Sequence, residues 1–97
     1  MTHSENIKAQ IIEMGLKLWQ AGVEPSARRI ALELQMTHPN ILHHFSTSRR
    51  LRNMLAAEAV KRNNSKIIVQ LIGESHESVM LMSNTEKMKH LSNVRVY

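Results

Sequence analysis

The chain has 97 residues, the length of one domain or of one domain with a short companion segment. It has no Cys, and its eight acidic residues are all Glu, which excludes a disulfide scaffold, a thiolate metal site and Asp-based cation chemistry. The net charge is +5, and residues 25–62 alone account for it, with seven Lys or Arg against two Glu; cations gathered in one stretch suit a polyanion partner.

Residues 1–5 are polar and are expected to fray. The spacing of Ile7, Ile11, Met14 and Leu18, with Ile12, Leu16 and Trp19 beside them, predicts a helix over 6–21 packed on two sides. Gly15 lies in that apolar arc, which points to close approach of a neighbouring helix, and Gly22 is placed to end it. Pro25-Ser26 opens a second helix, with Ile30, Ala31 and Leu34 apolar and an end near Gln35. Thr37 caps a third, with Pro39 in its first turn and Ile41, Leu42 and Phe45 inward. After a break at Ser46-Thr47-Ser48, a fourth helix covers about 49–62, with Leu51, Met54, Leu55 and Ala59 inward.

Asn63-Asn64-Ser65 interrupts that helix or caps the next element. Ile67-Ile68-Val69 has strand propensity, but Ile68, Leu71, Ile72, Ser75, Val79 and Met82 fit one helical stripe, disturbed at Gly73. Asn84-Thr85-Glu86 starts a last short helix, and residues 94–97 are a tail. The pattern is all-α, with a domain over 1–62 and a short helical region over 63–97. Three aromatic residues are too few for a platform that stacks single-stranded bases. No apolar run reaches membrane-spanning length, and no signal-peptide core is visible, so a cytoplasmic protein without a membrane partner is expected.

The stretch from Ser26 to Phe45 reads as short helix, tight turn, short helix. Ala31 and Ile41, ten residues apart, have the spacing of the crossing in a helix-turn-helix. His38 and His43 are five residues apart and His43 and His44 are adjacent, so neither pair shares a helix face as i, i+4 metal ligands do. Without Asp to orient a base, the Ser and His residues form no triad that the sequence supports. No enzymatic activity, metal or cofactor is expected.

Four features together, over residues 7–60, resemble the DNA-binding domain of the tetracycline-repressor (TetR) family: Trp19, Arg29-Ile30-Ala31, the run from Met36 to His44-Phe45, and Ser46 to Leu51. Gln35 stands where that family has Gly in the turn, and is expected to take a left-handed conformation at about 1–2 kcal/mol. Leu42 replaces a Tyr and Ser48 a Lys, and the loop between the first two helices is about two residues shorter. The family's larger ligand-binding domain has no counterpart in the residues after position 60.

The resemblance implies a three-helix helix-turn-helix domain with a long fourth helix; the apolar stripe after it is read as a short helical C-terminal dimerisation region. It implies that Thr37, His38, Pro39 and Asn40 face bases, Asn40 best of all because an amide bonds adenine N6 and N7 together. His43 or His44 then reaches a phosphate, Ser26 and Arg28 meet the opposite backbone, and Arg49 and Arg50 add phosphate contacts. The expected function is a sequence-specific, double-stranded-DNA-binding transcriptional regulator. It is read as a repressor acting as a homodimer through Ile68, Leu71, Ile72, Val79 and Met82, with a protein co-regulator as a further partner. The alternative is a basic helical interaction module for an acidic protein partner such as the transcription machinery.

Overall fold

A computed structural model describes residues 3–94. The predicted tail beyond Val94 lies outside them. All regular structure among the described residues is helical: α1 (His3–Gln20), α2 (Ala27–Leu34), α3 (His38–Phe45), α4 (Ser48–Lys61), α5 (Ser65–Gly73), a 3₁₀ turn (Glu77–Val79) and α6 (Asn84–Val94). The fold class is therefore all-α. No helix among them is long and apolar enough to cross a membrane. The chain forms two compact units, Met1–Leu55 and Ala56–Tyr97, with the division inside α4.

In the first unit α1 already includes residues 3–5, so the expected fraying there is corrected. Glu5 in the first turn opposes the positive end of the helix dipole. α2 packs on α1 and α3, and α3 also packs on α1. The buried core comprises Ile11, Leu16, Leu18, Trp19, Ile30, Ile41, Phe45, Leu51 and Leu55, with Ala27 and Ala31 at the close crossings. Gly15 lets the Leu55 and Ile30 side chains approach α1 closely, and a side chain there would make them move. A Cβ there would lie 2.7 Å from both terminal methyls of Leu55 and 3.3 Å from Ile30 Cδ1. Met54 was expected inward but is 49% exposed. The buried arc of α4 runs through Leu51, Leu55, Ala56 and Ala59 and turns Met54 out of it. Leu34 and Leu42 are half-buried.

One device ends four of the helices. A residue at the C-cap or just after it is left-handed, and the next N–H reaches back five residues. After α1, Gly22 has φ 84° and Val23 N–H donates to the Leu18 carbonyl at 2.9 Å. After α2, Gln35 has φ 56° and Met36 N–H donates to Ala31 at 2.8 Å. After α4, Asn63 has φ 54° and Asn64 N–H donates to Ala59 at 3.0 Å. After α5, Ser75 has φ 53° and His76 N–H donates to Leu71 at 2.9 Å. Gln35 thus adopts the left-handed conformation expected of it.

α3 ends differently. Ser46 has φ 69° and ψ −55°, and Thr47 N–H donates to the Phe45 carbonyl at 2.7 Å. This is the rare, strained γ-turn. Thr47 then caps α4, its Oγ1 accepting from Arg50 N–H at 3.1 Å.

In the second unit the single stripe from Ile68 to Met82 is corrected. α5 stops at Gly73, the chain turns through Ser75, and His76 starts the 3₁₀ turn, its Nδ1 accepting from Ser78 N–H at 3.0 Å. α5 packs on α6 and on that turn. Ile67, Ile68, Leu71 and Val79 are buried within the single chain. Three of the five residues read as a dimer face, Ile68, Leu71 and Val79, are therefore core. The large apolar residues that this unit turns to solvent are Met80, Leu81, Met88 and Val94. One polar group goes inward: His90 is 9% exposed, its Nδ1 2.8 Å from Ser65 Oγ, which also accepts from Asn93 Nδ2 at 3.3 Å.

Candidate nucleic-acid interface

Eight of the ten residues singled out from the sequence lie at the N-terminal ends of three helices, all in the first unit. Ser26 and Arg28 are at α2, Thr37, His38, Pro39 and Asn40 at α3, and Arg49 and Arg50 at α4. All eight are exposed. None of these three helices has an acidic residue in its first turn, whereas α1 has Glu5 and α6 has Glu86. Each N-terminus presents unsatisfied N–H groups and about half a positive charge, so the three ends favour anions. α5 shares the lack of acid, but it belongs to the other unit.

The caps account for Ser26 and Thr37 locally. Ser26 Oγ accepts from Arg29 N–H at 3.1 Å, and Thr37 Oγ1 accepts from Asn40 N–H at 3.3 Å. Each hydroxyl keeps its own hydrogen to donate to a phosphate oxygen. Pro39 sits at the start of α3, where its missing N–H leaves no bond unmade. The Asn40 side chain is on the exposed surface one turn from the cap.

The six arginines of the basic stretch divide into two sets. Arg29 pairs with Glu33 at 3.0 Å, Arg62 with Glu58 at 2.9 Å, and Arg52 with Glu24 at 3.0 Å. Arg52 also lies over the Trp19 ring, 4.7 Å from its centroid, a cation–π contact. Arg28, Arg49 and Arg50 have no carboxylate partner among the described residues. These three are the ones assigned to phosphates from the sequence. The sequence pattern does not reveal the Arg52–Glu24 pair, because 28 residues separate its members.

His43 and His44 stand apart from the rest. They occupy the last turn of α3, their rings 5.4 Å apart and near perpendicular at 76°. His38 and His44 are six residues apart, so about 9 Å of helix axis separates them. His43 is exposed, while His44 is half-buried and lines a half-open cleft of about 380 Å³ with Lys8, Ile12, Phe45, Arg50 and Met54. Sequence reasoning did not find this cleft: Lys8 and Ile12 come from α1, more than thirty positions from the rest, and only packing unites them. No family model, curated protein or solved structure matches the chain.

Proposed function

We propose that the chain is a sequence-specific, double-stranded-DNA-binding transcriptional repressor with a TetR-like helix-turn-helix, acting as a homodimer from the cytoplasm. One observation carries the reading. The three arginines without a carboxylate partner sit, exposed, in the first turns of α2 and α4, flanking an α3 whose first turn offers His38 and Asn40. In this reading α3 enters the major groove by its N-terminus, and α2 and α4 hold the phosphates on either side. Asn40 reads adenine, and His38 with Thr37 and Pro39 reads or shapes the neighbouring steps. Repression follows by occluding the bound duplex.

Selection of bound sites from random duplex DNA tests both claims. The expected product is a two-fold site whose half-sites lie about one helical turn apart, 34–36 Å. With about six phosphate contacts per half-site, log affinity falls against log salt with a slope of about −5 for each half-site. Retention without sequence enrichment removes the repressor reading. A shallow salt slope with tight binding to an acidic protein puts the interaction module in its place.

A further inference from the structure

The cleft beside α3 has a composition that the DNA reading does not use. Its wall is mainly apolar, built by Ile12, Phe45 and Met54, and its polar side holds Lys8, Arg50 and His44 with the neutral Ser46 and Asn53. No acidic residue lines it. Lys8 and Arg50 have no carboxylate partner among the described residues. At about 380 Å³ it falls within the range of small-molecule sites, about 300–1,000 Å³. Apolar floor and cationic rim together select a ligand with a hydrocarbon body and one negative end. A neutral lipid leaves the cations unanswered, and an inorganic anion leaves the apolar wall wet.

We propose that this cleft binds an amphipathic monocarboxylate, its tail against Ile12, Phe45 and Met54 and its carboxylate between Lys8 and Arg50. Arg50 is also one of the three arginines assigned to DNA phosphates. A carboxylate in the cleft engages its guanidinium, so an occupied cleft and a bound duplex compete for one side chain. Met54, turned out of the core of α4, gains a partner in the tail. The coupling to DNA rests on the proposed function; the binding itself does not.

Decanoate serves as the probe, titrated into the full ¹⁵N-labelled chain without DNA. Saturable binding is expected, with amide shifts gathered at Lys8, Ile12, His44, Phe45 and Met54. Decyltrimethylammonium, with the same tail and the opposite charge, is expected to bind at least about tenfold more weakly. Lys8→Glu, an exposed position outside both the core and the proposed DNA set, is expected to lose decanoate binding while keeping the wild-type spectrum elsewhere. Met54→Ser weakens both probes. Absence of saturable binding, equal affinity for the two probes, or shifts at the same amides on raising protein concentration alone would overturn the site.

A second arm measures duplex affinity with decanoate at ten times its dissociation constant. Competition lowers apparent duplex affinity about tenfold. Unchanged affinity at a saturated cleft overturns the coupling and leaves the site. A chain that takes up decanoate yet binds no duplex without it refutes the proposed function alone.

Discussion

The two units differ in the polar groups they bury and in how far they expose apolar ones, Leu32 and Met54 in the first against Met80, Leu81, Met88 and Val94 in the second. The unit ending at Leu55 carries Arg28, Arg49 and Arg50 in helix first turns that lack an acid, and buries an apolar core around Trp19, Ile30 and Phe45. The unit starting at Ala56 takes one polar side chain inward, His90, held by the half-buried Ser65, and turns Met80 and Leu81 to solvent, Leu81 completely at 101%. A charged surface with a dry interior fits association with a polyanion. Exposed methionine and leucine fit association with protein. The proposed division of labour, DNA in one unit and self-association in the other, follows that contrast. It is open to attack at both ends.

The largest effect is expected in the dry core. Phe45→Ala removes a ring that is 6% exposed at the end of α3, and a cavity of that size costs about 3–5 kcal/mol. Thermal melting checks it, and a marginal domain loses its folded baseline altogether. Ser65→Ala attacks the buried histidine of the other unit. It strips His90 Nδ1 of its 2.8 Å partner, and a buried polar group left unsatisfied costs about 1–3 kcal/mol. A melting temperature unchanged by that substitution means the pair is not a structural element.

Asn40→Ala sharpens the comparison at the surface. It is expected to cost about 1–3 kcal/mol of discrimination against the wrong base pair, with melting and binding to scrambled duplex nearly unchanged. Below that in size comes a matched arginine pair. Arg49→Ala lowers affinity on all duplexes and reduces the salt slope by about 1. Arg62→Ala, whose guanidinium already holds Glu58, leaves that slope where it was. Equal slopes for the two variants remove the distinction between paired and unpaired arginines.

The smallest effects concern the turns. Gly22→Ala places a side chain at φ 84° with nothing within 4 Å of it, so the loss of about 1 kcal/mol is backbone strain alone. Gln35→Gly relieves similar strain and, after the extra entropy of the unfolded glycine, gains about 0.5–1 kcal/mol. Chemical denaturation resolves both, and equal signs for the two would refute the shared turn geometry.

Helix starts were legible because caps are local. Ser26, Thr37 and Asn64 each accept an N–H three residues on, and a three-residue span is visible in sequence. The left-handed turn at Gln35 was legible only through the resemblance, which puts Gln where the family has Gly. The end of α5 was only half legible: the stripe from Ile68 to Met82 is disturbed at Gly73, where α5 stops, but the turn depends on Ser75 and on a histidine cap, His76, outside the usual capping set. The site was half legible. Arg28, Arg49 and Arg50 stood out as cations, but their difference from Arg52 rests on Glu24, and the cleft rests on α1 folding back to α3.

The γ-turn at Ser46 has a consequence for which sequences can replace this one. Gln35 and Ser46 are both polar residues with positive φ at a helix end, and an inventory of exposed positions would score them as equally replaceable. Their backbones differ: Gln35 has ψ 42°, Ser46 has ψ −55°. Asn tolerates the first region, because its short amide bonds locally, but has no such shelter in the second. A saturation library at position 35 should therefore retain Gly and Asn together, while one at position 46 should retain Gly and reject Asn along with every β-branched residue. Substitution tolerance at this joint is governed by a single torsion angle rather than by exposure.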